Sequence, residues 1–516
     1  MNLKKTIPLF LMFIILFSVI PVLKAENESS FPEINVYINV REDGNATVYY
    51  NITGFGATKF WIFLPKNETI IGRSSKGSFS IVNHTSSYYF YYNSTINVTP
   101  GDDNTYSFQL SYEFPFASIM ADYNGWFMSP ALITEPDIEM TVYIKIPNLK
   151  RITLEEPKHI GTKNGYLVYV LQGQLYSQLG GRIIIEYDMT VPVPVKTYSK
   201  SFNDTLVKIE YPIYYLSFAE KTVNIAGEAI KYYIDIFSIK PRELEFRFYL
   251  PKQAMGGIGT LGFVRGSDIN VGGEGPIQLN LALMRYAPGY HETTILHEMV
   301  HMFLGKLNVE ANDNVRWFHE GMAEYISLHV AEELGIKVED ILNNLDKLSK
   351  TLYDKLGGKI GFIENWPDGN DILEPQAYLA SYYIIKTLAD QYGGINYIKR
   401  VCKAIKDRGG VRSTQDVVDV LSEAAGKDLS GLFSKWGFHN ISPWNKTEEK
   451  EQQKQQNENS EEKEQETNIL DTARGTIITI VVVLAGAAAF IVYILNNRII
   501  REVELALSAP IVPEEK

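Results

Sequence analysis

The sequence ETTILHEMVHMFLG, residues 292–305, carries two histidines four positions apart, with a glutamate directly after the first. Apolar residues recur at helical spacing, which predicts an α-helix over 292–304 that Gly305 ends. Positions four apart on an α-helix differ by about 40° in direction and about 6 Å in rise. His297 and His301 therefore project from one face and can converge on one metal ion. Glu298 lies about 100° round, close to that face.

A third ligand is available in the next predicted helix, which begins within VRWFHEGMAEY at residues 315–325. Two imidazoles leave half of a tetrahedral zinc sphere unfilled, so the first stretch predicts a further protein ligand and one open position. Glu320 follows His301 after eighteen residues, which lets the second helix pack back and present its carboxylate to the same ion. Gly321 leaves room for that packing. The apolar side chains expected to exclude water there are Trp317, Phe318 and Met322.

The alternative interpretation is a helix that carries histidines for structural reasons. With eight histidines in 516 residues, the pattern H-E-x-x-H arises by chance roughly once per hundred such chains. The correctly spaced Glu320 makes that alternative much weaker. The sequence therefore predicts a metal centre formed by two neighbouring helices.

These motifs resemble those of the gluzincin metallopeptidases, the thermolysin-like clan MA that includes aminopeptidase N. The spacing is HEMVH, eighteen residues and then EG, and the peptidase MA-like domains of secreted microbial proteins are the most similar. The resemblance covers roughly residues 200–440, whereas the first 195 residues contribute no motif to it. Leu304 and Leu307 stand where the metzincin pattern has its glycine and third histidine, so that pattern is excluded.

The resemblance implies one zinc ion per chain, held by His297, His301 and Glu320. It implies that Glu298 is the general base, which takes a proton from the attacking water and returns it to the leaving amine. Tyr378 occupies the position of the family's donor to the oxyanion. Tyr382 and Tyr383 compete for that role, and packing roles for all three tyrosines stay open.

Three residues beside the motifs have two interpretations each. Glu324, one turn beyond Glu320, would orient a ligand imidazole from outside the ligand set, or would simply be exposed. His319 adjoins a ligand but should point away from the ion, so a structural role is favoured. For His291, which precedes the first helix, capping or surface exposure is favoured over catalysis.

The chain departs from the aminopeptidase pattern in the strand that should grip the substrate's free amine. Aminopeptidases of this clan carry G-x-M-E-N there, whereas this chain has VGGEGPIQLN at residues 271–280. Glu274 is the possible substrate-binding counterpart, but its flanking glycines are more typical of a turn. The sequence therefore favours an endopeptidase or a peptidase of unassigned specificity, with a zinc-dependent aminopeptidase as an alternative.

The predicted fold is multidomain α+β. Alternating strand-like runs such as INVYINVREDGNATVYYNITG predict a β-sandwich over residues 26–195. A thermolysin-like zincin domain with a small β-sheet and a helical bundle is predicted over 196–440. Its helices are predicted at 217–237, 292–304, 316–334, 338–356, 374–392, 395–408 and 412–425. Cys402 is the only cysteine, which excludes a disulfide framework within the chain.

Both ends of the sequence indicate export and anchoring. Residues 1–25 resemble a signal peptide, although Leu23 is larger than the cleavage pattern expects, so an uncleaved anchor stays open. Residues 475–495 contain no charge and reach the ~20 residues that span a bilayer, which predicts a C-terminal transmembrane helix. A polar stalk (441–474) precedes it and a cytoplasmic tail (496–516) follows it. Ten glycosylation sequons begin at Asn27, Asn45, Asn51, Asn67, Asn83, Asn93, Asn97, Asn203, Asn440 and Asn445.

These features predict a single-pass cell-membrane protein with an extracellular zinc peptidase domain acting on peptides or proteins. The net charge of −12 without a basic stripe argues against nucleic acid as a partner. One alternative is a catalytically inactive surface or envelope glycoprotein whose sandwich binds glycans or a cell-surface layer. Another is zinc-dependent hydrolysis of a non-peptide substrate.

Overall fold

The structure is a computed structural model that describes residues 31–86, 88–172, 181–367 and 373–444. The predicted signal peptide, transmembrane helix, cytoplasmic tail and all but the first four residues of the predicted stalk lie outside this part of the chain. No helix within the described ranges combines the length and apolar character needed to cross a bilayer.

The N-terminal region contains thirteen strands within its described residues, arranged in three sheets. The strands are β1 (Glu33–Val40), β2 (Ala46–Phe55), β3 (Thr58–Pro65), β4 (Ile71–Lys76), β5 (Ser78–Thr85), β6 (Tyr91–Thr99), β7 (Thr105–Phe114), β8 (Ser118–Met128), β9 (Glu139–Lys145), β10 (Leu149–Glu156), β11 (Gly161–Lys163), β12 (Tyr166–Gln172) and β13 (Ile184–Val193). The sheet orders are β11-β12-β9-β1-β2-β7-β4, β10-β13-β8 and β3-β6-β5.

Alternation of apolar and polar side chains explains these strands. In β1 every second side chain is buried, and β2 pairs with it antiparallel with the same alternation. Their buried side chains share one core with those of the two smaller sheets, where Phe60, Ile96 and Ile185 lie. The predicted β-rich N-terminal domain is therefore confirmed.

A fourth sheet begins at residue 195, next to the predicted domain boundary. Its strands are β14 (Val195–Phe202), β15 (Thr205–Pro212), β16 (Glu243–Tyr249), β17 (Gly262–Phe263) and β18 (Pro276–Asn280). The order is β14-β15-β16-β18-β17, in which the three central strands are parallel and both edge strands are antiparallel.

The remaining chain is mostly helical, as predicted. The helices are α1 (Leu216–Phe237), α2 (Gly266–Asn270), α3 (Tyr290–Lys306), α4 (Arg316–Glu333), α5 (Glu339–Lys355), α6 (Glu374–Tyr392), α7 (Ile395–Arg408), α8 (Thr414–Ala425) and α9 (Ser430–Trp436). The seven predicted helices lie within two residues of these bounds. The α+β class with a helical, zincin-like C-terminal part is confirmed, and Cys402 is buried as a free thiol in α7.

A glycine in each motif helix allows that helix to pack closely on a neighbouring segment. The prediction that Gly305 ends the first helix is wrong, because α3 continues to Lys306. A Cβ at Gly305 would lie 2.7 Å from the carbonyl oxygen of Ile269, so this glycine serves the close approach of a neighbouring segment. A Cβ at Gly321 in α4 would lie 2.6 Å from the carbonyl oxygen of Ser381, so α6 can pack directly on α4.

Candidate metal centre and active-site cleft

Helices α3 and α4 bring the three predicted ligands together. One nitrogen from each of His297 and His301 and one oxygen of Glu320 all lie within 4.8 Å of one another. The Glu320 Oε2 atom is 3.3 Å from His297 Nε2 and 3.7 Å from His301 Nε2. Two ligand atoms on a tetrahedral zinc ion at 2.0–2.2 Å are about 3.4 Å apart. The side chains therefore fit a zinc ion, and two nitrogens with one carboxylate oxygen suit its chemistry.

The second nitrogen of each histidine ring faces another side chain. His297 Nδ1 is 3.3 Å from the Glu324 carboxylate, one turn beyond Glu320 on α4. His301 Nδ1 is 3.4 Å from Nδ1 of the buried His319. Both contacts leave Nε2 on the side of Glu320. Groups behind a metal-bound imidazole fix its tautomer and orientation, and the structure places Glu324 and His319 in that position.

The pKa values of the two ligand histidines are shifted in opposite directions. Burial by itself would lower the pKa of His297, but the carboxylates of Glu320 and Glu324 raise it well above its usual value. Burial lowers the pKa of His301 to about 3. For Glu320, burial is outweighed by the two histidines and Arg316, which hold its pKa at about 2. The carboxylates beside His297 therefore favour its protonated form, whereas burial favours the neutral form of His301.

Glu298 lies beside the ligands against the short edge strand β17. A Cβ at Gly262 would come within 2.9 Å of Glu298 Cγ and 3.1 Å of its Oε1, so glycine at this position leaves room for the Glu298 carboxylate. Burial, together with the charge of Glu320, raises the pKa of Glu298 to about 8, although His297 opposes the shift. A carboxylate with a raised pKa is suited to accept and return a proton.

The structure separates the three candidate tyrosines on α6. Tyr378 lines the cleft that contains the three ligands, and its phenol accepts a hydrogen bond of 3.3 Å from Arg316 Nη2. Tyr382 instead donates to Asp346, and Tyr383 stacks on Tyr353; neither lines the cleft. Tyr378 is thus the tyrosine placed to face a substrate.

Arg316 is a residue that the sequence analysis missed. Its Nε is 3.6 Å from Glu320 Oε1, and its Nη2 is 3.5 Å from the buried Glu374 carboxylate. The guanidinium also lies 4.7 Å from the centre of the Trp366 ring. Burial raises the pKa of Glu374 to about 7 in this setting. Arg316 precedes Glu320 by one helical turn, a spacing that could have identified it as a partner of the ligand.

The structure places Glu274 away from the cleft. Glu274 is exposed after α2 and does not line the cleft. Its negative charge acts on Lys306 at the end of α3, where it partly offsets the lowering of the Lys306 pKa by burial. The neighbouring Gly272, Gly273 and Gly275 have positive φ angles, which fits the turn interpretation. Glu274 is therefore not retained as a substrate-binding residue.

His291 is neither a cap nor a surface residue. Its side chain is buried, its Nε2 lies 2.9 Å from the Thr222 hydroxyl, and its ring stacks on Phe218 at 4.0 Å. Burial lowers its pKa to about 3, so the ring is neutral. His291 therefore attaches the start of α3 to α1. The error arose because the sequence alone does not show which face of the helix entry packs against α1.

The ligands and Glu298 open into a cleft of about 1100 Å³. One wall comes from α3, α4 and α6. The opposite wall comes from the N-terminal domain, with an aromatic group at Tyr89, Phe90 and Tyr91 and a second at Phe114 and Phe116. Arg285, just before α3, joins the two regions by donating a hydrogen bond of 2.9 Å to the carbonyl oxygen of Met128.

Comparison with known proteins finds a family whose model matches the region that contains this site. Residues 287–436 match the model of the peptidase family M1 domain. The chain is also similar to the crystal structure of an aminopeptidase N family protein from Idiomarina loihiensis, at 13% identity, 81% coverage of this chain, 78% coverage of that chain and a TM-score of 0.36. No curated protein sequence matches the chain. The family match confirms the resemblance to gluzincins and the prediction of a zinc metallopeptidase.

Proposed function

We propose, from the match of residues 287–436 to the peptidase family M1 domain, that the chain is a membrane-anchored, extracellular zinc peptidase that cleaves peptide bonds within peptides or proteins. The observation that carries the proposal is the convergence of His297, His301 and Glu320 within 4.8 Å, with Glu298 beside them in one cleft. One zinc ion per chain is expected, since this ligand set forms one site.

Zinc in this site supplies Lewis acidity to the scissile carbonyl and makes a water molecule acidic enough to act as nucleophile near neutral pH. The chain's own residues perform the remaining work. Glu298 accepts the proton of the attacking water and passes it to the leaving amine. Tyr378 donates its phenolic hydrogen bond to the oxygen that gains negative charge, and Arg316 fixes the phenol from behind.

The orientation of the ligands comes from their surroundings. Glu324 and His319 hold the two imidazole rings by their Nδ1 atoms, so that both Nε2 atoms stay on the side of Glu320. Arg316 contacts the other oxygen of Glu320. A ligand set held from outside requires little rearrangement when the metal binds.

The edge strand beside Glu298 supports cleavage within a chain over removal of its first residue. Strand β17 consists of Gly262 and Phe263 and offers no carboxylate to a substrate amine, and Glu274 lies elsewhere. Mass spectrometry of the products from a long peptide tests this point. Products cut internally are expected; stepwise loss of N-terminal residues would make the chain an aminopeptidase.

The proposed location rests on sequence features at the two ends. The apolar segments at 1–25 and 475–495, with the intervening sequons, support an exported, tethered catalytic domain. The eight sequon asparagines within the described ranges are all at least partly exposed, which is compatible with glycan attachment. Protease treatment of intact cells should release the ectodomain; full protection would contradict the proposed location.

Metal content and the Glu298→Gln variant test the catalytic proposal. The purified protein should contain about one zinc per chain, and Glu298→Gln should keep the zinc while slowing cleavage of a denatured protein by about 10²–10⁴-fold. Glu332→Gln, an exposed change at the end of α4, is the matched control and should leave the rate unchanged. Equal rates in the wild type and Glu298→Gln would support the inactive surface glycoprotein instead.

A further inference from the structure

The cleft carries two arginines, one from the N-terminal domain and one from the segment just before α3, for which the described residues supply no carboxylate partner. Arg182 and Arg285 both line the cleft, and neither makes an ion pair with any acidic side chain in that part of the chain. Glu68, an acidic residue on the N-terminal wall, has its pKa raised by burial and by Glu113, with no contribution from either arginine. The two positive charges are therefore not neutralised by any carboxylate of the described residues.

Each guanidinium is held in place by groups that do not neutralise it. Arg285 donates to the carbonyl oxygens of Met128 and Ser129 at 2.9 and 3.5 Å, and its Cζ lies 4.8 Å from the centre of the Phe114 ring. Arg182 lies over the Tyr91 ring, with its Cζ at 5.7 Å from the ring centre. Carbonyl oxygens and aromatic faces orient an arginine but leave its full charge in place.

This arrangement is costly without an anion. The Nε atom of Arg182 is buried and makes no hydrogen bond to any group in the described part of the chain. Burial lowers the pKa of Arg285, and the positive charge of Arg182 lowers it further. A buried donor without a partner and two adjacent like charges both destabilise the folded protein. An anionic group bound between them would relieve both penalties.

The two arginines share the cleft with the metal ligands. The chain from Arg285 into α3 lines the cleft through Tyr286, Tyr290, Thr293 and Thr294 and reaches His297. A peptide bound at the metal centre therefore extends along a wall whose far part is cationic.

We propose that Arg182 and Arg285 form a subsite that binds a carboxylate of the substrate, so that the enzyme prefers acidic peptides or peptides with a free C-terminus near the cut. This inference rests on the proposed peptidase function and specifies its substrate class. An Asp or Glu side chain and a terminal carboxylate present the same planar pair of oxygens, which matches the guanidinium fork.

Matched peptides distinguish the two sources of the carboxylate. One set places Asp or Glu, or the neutral Asn or Gln, at each position around the cut; a second set compares a free C-terminus with a C-terminal amide. The zinc-loaded full chain should cleave one carboxylate-bearing set with a KM about tenfold lower than its neutral counterpart. The set that shows the difference identifies the source.

Variants of Arg182 assign the preference to this wall. Arg182→Gln should raise KM for acidic peptides about tenfold while leaving kcat, zinc content and KM for neutral peptides unchanged. Arg182→Lys should retain part of the preference because it keeps the charge. Arg73→Gln makes the same change at an exposed residue of the same domain that does not line the cleft, and should have no effect. A wild type that distinguishes neither acidic from neutral side chains nor a free C-terminus from a C-terminal amide would overturn the subsite.

Calorimetry separates failure of this inference from failure of the peptidase proposal. From each set, the peptide that carries the carboxylate and its neutral counterpart are titrated into zinc-loaded Glu298→Gln, which binds substrate without cleaving it. Tighter binding of the carboxylate-bearing peptide, lost on adding Arg182→Gln, supports the subsite even if no peptide is hydrolysed by the wild type. Equal binding of the two peptides in both sets excludes the subsite even in an active peptidase.

Discussion

The two walls of the cleft differ in how their charges are satisfied. On the helical wall, the side chains of His297, His301 and Glu320 contact one another, and Glu324 and Arg316 contact them from outside. On the opposite side, Arg182 of the N-terminal domain and Arg285 of the segment before α3 face the same space, and their partners among the described residues are aromatic rings and carbonyl oxygens. A closed set of polar contacts holds ligands for a metal, whereas uncompensated charge leaves a place for a substrate group. Changes on the first wall should therefore affect kcat or metal content, and changes on the second should affect KM.

Among changes on the helical wall, Tyr378→Phe should have the largest effect after Glu298→Gln. Removal of one hydrogen-bond donor to the oxyanion should lower kcat by about 10²–10³-fold, with little change in KM and none in zinc content. Tyr383→Phe is the matched control on the same helix, because Tyr383 stacks on Tyr353 and does not line the cleft. Loss of activity in Tyr383→Phe but not in Tyr378→Phe would reassign the donor.

Glu324→Gln tests whether the outer contacts of the helical wall act through the metal. The glutamine keeps the length of the side chain but removes the charge beside His297 Nδ1, so zinc affinity should fall by about 10–100-fold. Competition with a zinc-binding dye measures this change, and activity should return at high zinc concentration. Unchanged zinc affinity would show that Glu324 does not orient His297.

The sequence predicted the helical wall because its determinants are local. Each motif lies within a few helical turns, and the spacing of His297, His301 and Glu320 predicts which faces of the two helices meet. Strand alternation likewise predicted β1 and β2, since one face of each strand is buried. These features depend on neighbours in the chain, which a pattern records directly.

The second wall depends on contacts between distant segments. Arg182 and Arg285 are about a hundred residues apart, and both face the cleft only because the N-terminal domain packs against the start of α3. Glu274 was misplaced for a related reason: its glycine-rich surroundings have no periodicity, and the strand beside Glu298 is only the pair Gly262–Phe263. The spacing of Arg316 one turn before Glu320 could have shown its contact with that ligand, but its contact with Tyr378 joins helices 62 positions apart.

Substitutions of Tyr91 should have the smallest effect of those predicted, and they test the difference between the two walls. Its ring lies under Arg182, and its hydroxyl accepts a hydrogen bond of 3.1 Å from the Ala131 N–H. Tyr91→Leu and Tyr91→Phe both remove that hydrogen bond, but only Tyr91→Phe keeps an aromatic face beneath the guanidinium. A cation–π contact of about 0.5–1 kcal/mol corresponds to about twofold to fivefold in binding. KM for acidic peptides should therefore be about twofold to fivefold higher in Tyr91→Leu than in Tyr91→Phe, with equal kcat. Equal KM values in the two variants would mean that the ring does not hold Arg182 for substrate, and a change in kcat would mean that this wall also takes part in the chemical step.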